Sequence, residues 1–520
     1  MSIYFDRDED RINVQNMSAS PATGVEADDP YDLSDDSDKA ALLDHEHRDT
    51  DIQSNDPRDD KILTAIVTPG NTATSARAYV TVAILCFVNL LNYMDRFTVA
   101  GNLKDIQHFY SLTDAEAGAL QTVFVCMYMV AAPVFGFLGD RYNRKIIMSF
   151  GIFMWTCFTL VGSFIPKQNV WIFFAMRGLV GIGEASYSTI APTLIADLFV
   201  KGQRTRMLAV FYFAIPVGSG LGYVVGSEVA HAAGSWQWGL RITPVLGVVS
   251  LILIVGVLKE PQRGQSDTGH TVRATSYLQD LKALAGNHSY IWSCLGYVGV
   301  AWVAGCLSWW APRYIQYAYA LRGQSQDSVA LVFGGITVVT GIIGVGLGAE
   351  SARRLRKYNQ KADAWVCAFG LMACSPFLYL ALVFTRSSEA MTWVMIFLGE
   401  TCLSLNWAVT SDILLYVVTP TRRATANAFQ MLASHLLGDA TSPYIVGQIS
   451  DFIRHGEQDT AFTQFYSLQY ALYLNCFIAV LGGGCYLAVS LYIVYDKAKA
   501  EHDTKDLEEK STSQPDQVTI

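Results

Sequence analysis

The chain has 520 residues, of which 51% are apolar and 16% are charged, and it carries a formal net charge of -9. About a quarter of the residues in soluble domains are charged, so this composition argues against a string of soluble domains and indicates lipid as the solvent. Much of the negative charge lies in the first 60 residues. The remainder is nearly neutral, which excludes a basic surface for nucleic acid.

Residues 1–74 have the composition of a disordered acidic cytosolic tail, rich in Asp, Ser and Asn and poor in aromatic residues. This tail contains no recognisable cleavable signal peptide, so we expect the first membrane span to act as its own signal. Asp38, Leu42 and Leu43 fit the acidic dileucine pattern that cytosolic sorting adaptors read. The pattern is typical of a lysosomal or late-endosomal address, although short patterns also arise by chance in acidic tails.

Apolar stretches of the length that a bilayer requires, about 20 residues, follow the tail repeatedly. The predicted spans are 78–101, 117–138, 146–165, 171–198, 207–229, 239–258, 290–316, 328–349, 363–384, 391–418, 424–448 and 467–495. The longest polar break falls after the sixth span. We therefore predict an all-α membrane protein with twelve transmembrane helices in two six-helix halves, at 75–258 and 288–496, joined by a cytosolic linker at 259–287 and followed by a cytosolic tail at 497–520.

Lysine and arginine are concentrated in the connections that follow even-numbered spans. The positive-inside rule then predicts that both termini lie in the cytosol. Most of the ten cysteines lie inside apolar runs without metal-ligand spacing. We interpret them as small buried residues, and we predict no metal and no cofactor.

The second span ends with the sequence GFLGDRYNRK at residues 136–145. This run resembles the signature of the major facilitator superfamily, which joins the second and third spans by a short charged turn. Its glycines allow close helix approach, and its charges can form a cluster that holds one conformation shut. The predicted conformational latch consists of Gly136, Gly139, Asp140, Arg141, Arg144 and Lys145. The alternative is a simple positive-inside anchor.

Ionisable residues inside membrane spans are costly, so each usually faces a cavity or a partner. Asp95 and Arg96 are adjacent in the first span. In the fourth span, Arg177 and Glu184 are two helical turns apart on one face. These four charges are predicted to meet in one polar pocket. The alternative is a buried ion network that only fixes the helices.

The second half contributes fewer ionisable residues. Glu400 and Trp407 are seven residues apart in the tenth span, with Asn406 beside them. In the eleventh span, His435 lies one turn before Asp439. This histidine could bind a phosphate or titrate with organellar pH, and the alternative is a packing role.

The chain contains several longer runs: NYMDR at 92–96, RGLVGIGEA at 177–185, WGLRITP at 238–244, NWA at 406–408, DILLYVV at 412–418, PTRR at 420–423, SHLLGDA at 434–440 and SPY at 442–444. Together these runs resemble the spinster family of lipid transporters. The resemblance implies a transporter for single-chain lipids with a phosphate-bearing or zwitterionic headgroup. It also implies proton-sensitive and headgroup-contacting groups at Asp95, Arg96, Arg177, Glu184 and His435.

From these observations we predict proton-dependent export of lysophospholipids, or related sphingolipids, from lysosomes or late endosomes to the cytosol. Asp95 and Glu184 are the predicted proton-coupling residues. The predicted substrate-binding residues are Arg96, Arg177, Glu400, Asn406, Trp407 and His435. The lipid, protons and sorting adaptors are the predicted partners.

Other functions remain open at this stage. One is a sphingosine-1-phosphate exporter of the plasma membrane. Another is a transporter of small organic anions or sugars, which would need more polar side chains in the passage. A membrane-embedded lipid enzyme is disfavoured, because the chain has no Gly-x-Ser-x-Gly elbow, His-Glu-x-x-His pair or Gly-rich nucleotide loop. A sensor that transports nothing is a further alternative.

Overall fold

The computed structural model describes residues 72–513, except 200, 261–276, 327, 420–421 and 459, and this part of the chain is helical without β-strands. In chain order the helices are α1 (Thr72–Gly101), α2 (Leu103–Tyr110), α3 (Asp114–Arg141), α4 (Arg144–Gly162), α5 (Val170–Leu198), α6 (Lys201–Ala233), α7 (Trp236–Gly256), α8 (Tyr277–Ala285), α9 (His288–Leu321), α10 (Ser328–Leu355), α11 (Ala362–Phe384), α12 (Glu389–Ser404), α13 (Asn406–Val417), α14 (Arg423–Ser434), α15 (Ser442–Arg454) and α16 (Ala461–Ser513). A π-helical turn, His435–Asp439, lies between α14 and α15.

Ten helical stretches among the described residues are long and apolar enough to cross a bilayer. The other two predicted spans are α5 and the α14–α15 segment. α5 has 29 residues but contains Arg177 and Glu184, which lower its hydropathy. The π turn divides the other segment into helices of 12 and 13 residues. Both of these spans carry ionisable residues predicted to be functional: Arg177 and Glu184 in α5, and His435 in the π turn.

Three predicted boundaries differ in detail from the helices observed. α1 begins at Thr72, inside the predicted tail, and α8 occupies part of the predicted linker. α16 is a single helix of 53 residues that continues through most of the predicted C-terminal tail. The chain has no Gly or Pro between Cys485 and Ser513, so nothing interrupts this helix. The predicted sorting residues Asp38, Leu42 and Leu43 lie outside the described residues.

The helices pack as two groups, α1–α7 and α9–α16. Between the groups, α6 packs against α10, and α3 packs against α15. The α3–α15 contact brings backbone directly against backbone. A Cβ atom placed on Gly118 would lie 2.3 Å from the carbonyl oxygen of Pro443, and one on Gly447 would lie 2.3 Å from that of Asp114. Only glycine permits this approach.

A carboxylate from one half caps a helix of the other half beside this contact. Asp451 at the end of α15 accepts hydrogen bonds from the backbone N–H groups of Asp114 (3.1 Å) and Ala115 (2.8 Å), which begin α3. Arg454 pairs with Asp451 at 2.7 Å and with Asp114 at 3.3 Å. A carboxylate is favourable at a helix N-terminus, where N–H groups are unpaired. We call this end of the bundle the closed end.

Away from the closed end, α3 loses its contact with the other half. Val130 and Val134 are 70% and 55% exposed. A Cβ atom on Gly136 would meet no atom within 4 Å. Halves that touch at one end and separate toward the other are typical of one state of an alternating-access transporter. The distribution of basic residues predicts that the closed end faces away from the cytosol.

We expect Gly447→Val to prevent closure of this end, because the new side chain would collide with the backbone of α3 and a backbone cannot rotate away. Spin labels at the exposed residues Gln168 and Glu457, one in each half, report the separation of the halves by pulsed electron resonance. The distance distribution should shift to longer values. Gly484→Val is the matched control, since a Cβ atom there meets nothing within 4 Å. A distribution unchanged by Gly447→Val would contradict the steric argument.

Candidate functional site

Asp95 on α1 is the centre of a buried charged cluster, and its side chain has no exposed surface. Thr243 on α7 donates a hydrogen bond to Asp95 Oδ1 at 2.5 Å, and Thr159 on α4 donates to Oδ2 at 3.3 Å. Arg177 on α5 places Nη1 3.6 Å from Oδ2. Four helices of the first half therefore converge on one carboxylate.

Arg177 and Glu184 lie on the same side of α5 as predicted, and each is 3% exposed. Glu184 interacts electrostatically with Asp95, Arg177 and Arg96. Nε and Nη2 of Arg177 and Oε1 of Glu184 are buried without a hydrogen-bond partner among the described residues. Phe124 lies beneath Arg177, with its ring centre 5.0 Å from the guanidinium carbon. The four predicted charges thus meet, and unused polar atoms remain between them.

Arg96 connects the two halves. Its Nη2 lies 2.8 Å from Asp439 Oδ2, which belongs to the π turn of the second half. The side-chain oxygen of Gln121 accepts hydrogen bonds from Arg96 Nε at 3.1 Å and from Arg96 Nη2 at 2.8 Å. This is the amide orientation in which both the oxygen and the nitrogen of Gln121 have partners. His435 Nδ1 lies 3.0 Å from Asp439 Oδ1. A chain of contacts therefore runs from α1 through Asp439 to His435.

The π turn explains the position of Asp439. The N–H of Ala440 donates to the carbonyl of His435, which closes a wider turn than an α-helix makes. Such turns are frequent at functional sites because they reorient side chains. Asp439 was visible in the sequence only as a charge inside a span, one turn after His435. Its partner could not be read from the spacing.

The other predicted substrate-binding residues do not form one group. Glu400 on α12 accepts a hydrogen bond from Thr340 on α10 at 3.0 Å. Trp407 is 39% exposed and packs edge-on against Tyr297 on α9, with ring centres 5.6 Å apart. These two side chains contact different neighbours, and the interruption at Leu405 separates the helices that carry them, α12 and α13.

Asn406 is fully buried. Its Nδ2 donates to the carbonyl of Leu403 at 3.0 Å, and a Cβ atom on Gly370 of α11 would lie 2.9 Å from Nδ2. Asn406 thus faces α11, and the structure does not bring it to the charged cluster.

The predicted latch residues make contacts within the first half. Arg144 Nη1 lies 2.5 Å from Asp197 Oδ2 at the end of α5, and the Arg144 backbone N–H donates to Glu260 at 3.0 Å. Gly139 packs against Ile190: a Cβ atom placed on the glycine would lie 3.0 Å from the Ile190 side chain. Asp197 and Glu260 were not predicted, because they are distant in sequence.

The remaining latch residues show less contact in this conformation. Arg141 stacks over Phe137 with 3.7 Å between the guanidinium carbon and the ring centre, Lys145 is partly exposed, and Gly136 faces open space. The side chain of Asp140 lies outside the described part of the chain. A role as a latch between halves stays a prediction.

The second half has a comparable charge cluster after α10. Arg356 contacts Asp363 at 2.6 Å and Asp412 at 2.5 Å. Burial disfavours the charge of Arg356, but the two carboxylates outweigh it and raise the pKa of the guanidinium. Arg353 and Arg354 pair instead with Glu350 on their own helix.

Comparison with known proteins decides the family. The model of the Major Facilitator Superfamily matches residues 85–443. Protein spinster homolog 1 of Rattus norvegicus is 51% identical over 451 residues, which cover 84% of this chain and 85% of the relative. The chain belongs to the spinster family of the major facilitator superfamily. As a member of this family, it is a transporter and not an enzyme.

Two further comparisons agree with this assignment. A sphingosine-1-phosphate transporter of Mus musculus is 50% identical over 435 residues, covering 82% of this chain and 79% of the relative. A crystal structure of a bacterial homolog to the human lysosomal transporter Spinster matches with a TM-score of 0.72 and 18% identity, over 81% of this chain and 98% of the other. This match confirms the predicted fold of two six-helix halves.

Arg96 and Asp439 should be energetically coupled, because replacing either one leaves the other, a largely buried charge, without its partner in the opposite half. We expect Arg96→Gln and Asp439→Asn each to lower the melting temperature of the purified protein. The double variant should lose less than the sum, by the equivalent of about 0.5 to 3 kcal/mol.

The matched control is the pair Glu350–Arg353, whose side chains are 35% and 73% exposed. Its two substitutions should be nearly additive, since exposed pairs contribute about 0 to 1 kcal/mol. Additive effects at Arg96 and Asp439 as well would show that the contact between the halves contributes no stability.

Proposed function

We propose that this spinster-family protein exports lysophospholipids, or related sphingolipids, from lysosomes or late endosomes to the cytosol in a proton-dependent alternating-access cycle. The observation that carries the proposal is the buried cluster of Asp95, Arg177 and Glu184, one residue away from the Arg96–Asp439 contact between the halves. Asp95 can bind a proton, and it is adjacent to Arg96, whose contact with Asp439 must change when the halves move relative to each other.

The coupling step follows from the cost of unpaired charge in hydrocarbon. While Asp95 and Glu184 are ionised, their two negative charges outweigh the positive charge of Arg177. Protonation of these carboxylates from an acidic lumen leaves Arg177 with an excess positive charge in a buried site. A lipid phosphate can then replace the lost negative charge, because guanidinium groups bind phosphate through charge-assisted hydrogen bonds. Release of the protons to a neutral cytosol would reverse this preference.

The substrate class is supported by the walls of the passage. The face of the second half that lies beyond the π turn toward the open end is apolar. Met431 and Leu432 of α14 are exposed there, and Leu436 and Leu437 are exposed in the π turn itself. This surface suits an acyl or sphingoid chain, and Arg96 with His435 suits a phosphate-bearing headgroup. Trp407, half-exposed beside Tyr297, would contact the chain.

A sphingosine-1-phosphate exporter of the plasma membrane is the second candidate. The observation in its favour is the 50% identity with the mouse sphingosine-1-phosphate transporter, almost the same as the identity with the spinster homolog 1 proteins. Transport of sugars or small organic anions is a third candidate, which only the shared fold supports. Both alternatives use the same scaffold, so the substrate must be decided by flux measurements.

We expect purified protein in vesicles to move labelled lysophosphatidylcholine faster when the compartment facing the closed end is acidic. Asp95→Asn and Glu184→Gln should abolish this pH dependence, since an amide cannot exchange a proton. Glu350→Gln, at an exposed carboxylate, is the matched control. Sphingosine-1-phosphate and xylose, tested in parallel, distinguish the three candidates. Undiminished pH-dependent flux in both carboxylate variants would remove these residues from the coupling.

The proposed location depends on Asp38, Leu42 and Leu43. We expect a double Leu42→Ala, Leu43→Ala variant to accumulate at the plasma membrane, because a sorting adaptor binds the leucine pair. Fluorescence microscopy of the tagged full chain against a lysosomal marker measures this. Leu33→Ala changes a tail leucine outside the pattern and should leave the location unchanged. A double variant that stays on lysosomes would show that the pattern is not used.

A further inference from the structure

Thr243 on α7 has a second hydrogen-bond acceptor besides Asp95. The side chain is fully buried. Its Oγ1 donates to Asp95 Oδ1 at 2.5 Å and lies 3.3 Å from the carbonyl oxygen of Leu240. A threonine hydroxyl has one proton but can also accept hydrogen bonds. The hydroxyl can therefore donate to Asp95 Oδ1 or to the carbonyl oxygen of Leu240, but its single proton can form a well-aligned hydrogen bond with only one of them at a time.

The next residue leaves the carbonyl of Leu240 without its helical donor. In an α-helix this carbonyl would accept from the N–H four residues later, which is position 244. Pro244 has no N–H. The Thr243–Pro244 pair thus places a hydroxyl between a carboxylate from α1 and a carbonyl of its own helix that lacks the usual N–H donor.

We propose that Thr243 is a positioning residue that hydrogen-bonds Asp95 in both of its protonation states. When Asp95 is ionised, the Thr243 hydroxyl donates to Oδ1. When Asp95 is protonated, its O–H donates to Thr243 Oγ1, and the Thr243 proton turns toward the carbonyl of Leu240. Thr243 neither gains nor loses a proton. This inference rests on the proposed proton dependence and adds a residue to it.

The surroundings of Asp95 assign this task to Thr243. The charged groups that face Asp95 are Arg177 and Glu184 from α5, and Arg96 is its neighbour on α1. α4 contributes only the hydroxyl of Thr159, at the longer distance of 3.3 Å and to the other oxygen.

α6 packs glycine backbone against α1 and offers no charge to Asp95. A Cβ atom on Gly222 would lie 2.6 Å from the carbonyl oxygen of Met94. A buried carboxylic acid needs an acceptor for its proton. Thr243 Oγ1 is the nearest oxygen to Oδ1 among these contacts, and Leu240 makes it free to accept.

The test compares hydroxyl variants in vesicles loaded with labelled lysophosphatidylcholine. Thr243→Val keeps the shape but removes the hydroxyl. Since a hydrogen bond to an ionised group is the stronger of the two, the pH of half-maximal flux should rise by about one pH unit. Thr243→Ser should restore the original midpoint. Pro244→Ala returns an N–H to Leu240 and should move the midpoint in the opposite direction.

Thr156→Val is the matched control. Thr156 is also a buried threonine of the first half, but its hydroxyl has no hydrogen-bond partner among the described residues. Removing it should leave the midpoint unchanged. A midpoint that moves equally in this variant would indicate a general effect of packing and would overturn the proposal.

A second readout does not depend on the substrate. The infrared carbonyl band of protonated Asp95, assigned by its loss in Asp95→Asn, should move to higher frequency in Thr243→Val and stay in place in Thr243→Ser.

Absence of pH-dependent flux in the unmodified protein would contradict the proposed function, and the infrared band would still test Thr243. An unchanged midpoint with an unchanged band in Thr243→Val would overturn this inference. Should Thr243→Val not fold, Pro244→Ala with an unmoved midpoint and band has the same meaning.

Discussion

The pairing of charges inside hydrocarbon is the constraint on which this transporter depends. An unpaired charge at the centre of a transmembrane helix costs about 2.5 to 3.5 kcal/mol by insertion measurements. Adjacent residues of α1 meet that constraint in different ways. Asp95 finds Arg177 within its own half, and Arg96 finds Asp439 in the other half. Two neighbouring positions on one helix therefore tie the interior of a half to the contact between the halves.

The glycine contacts of α3 and α15 are the mechanical counterpart of this arrangement. Large side chains would interlock the halves, and interlocked surfaces separate slowly. Gly118 and Gly447 instead place smooth backbone against backbone. Packing of this kind gives close contact with little interdigitation, which suits two bodies that must part in every cycle.

The sequence predicted the twelve spans and the four charges of the cluster because charges inside apolar helices are conspicuous. Asp95, Arg177 and Glu184 needed only helical spacing and the cost of burial to be placed together. Asp439 was noticed but not assigned, because a π turn changes the direction of a side chain without any signal in the hydropathy. Asn406 shows the opposite case. It is polar within a span, yet it turns toward α11 and donates its amide N–H to the carbonyl of Leu403 at the end of α12.

The capping of α3 by Asp451 has a consequence for speed. When the closed end opens, the Asp451 carboxylate and the first N–H groups of α3 are hydrated again. Their hydration offsets the hydrogen bonds that are lost on opening. The free energy that holds this end closed is therefore smaller than a large hydrophobic contact would provide. Thermal motion can then separate the halves on the timescale of ordinary domain movements. Turnover then depends on how fast the substrate leaves the passage, and opening of the closed end is not the slow step.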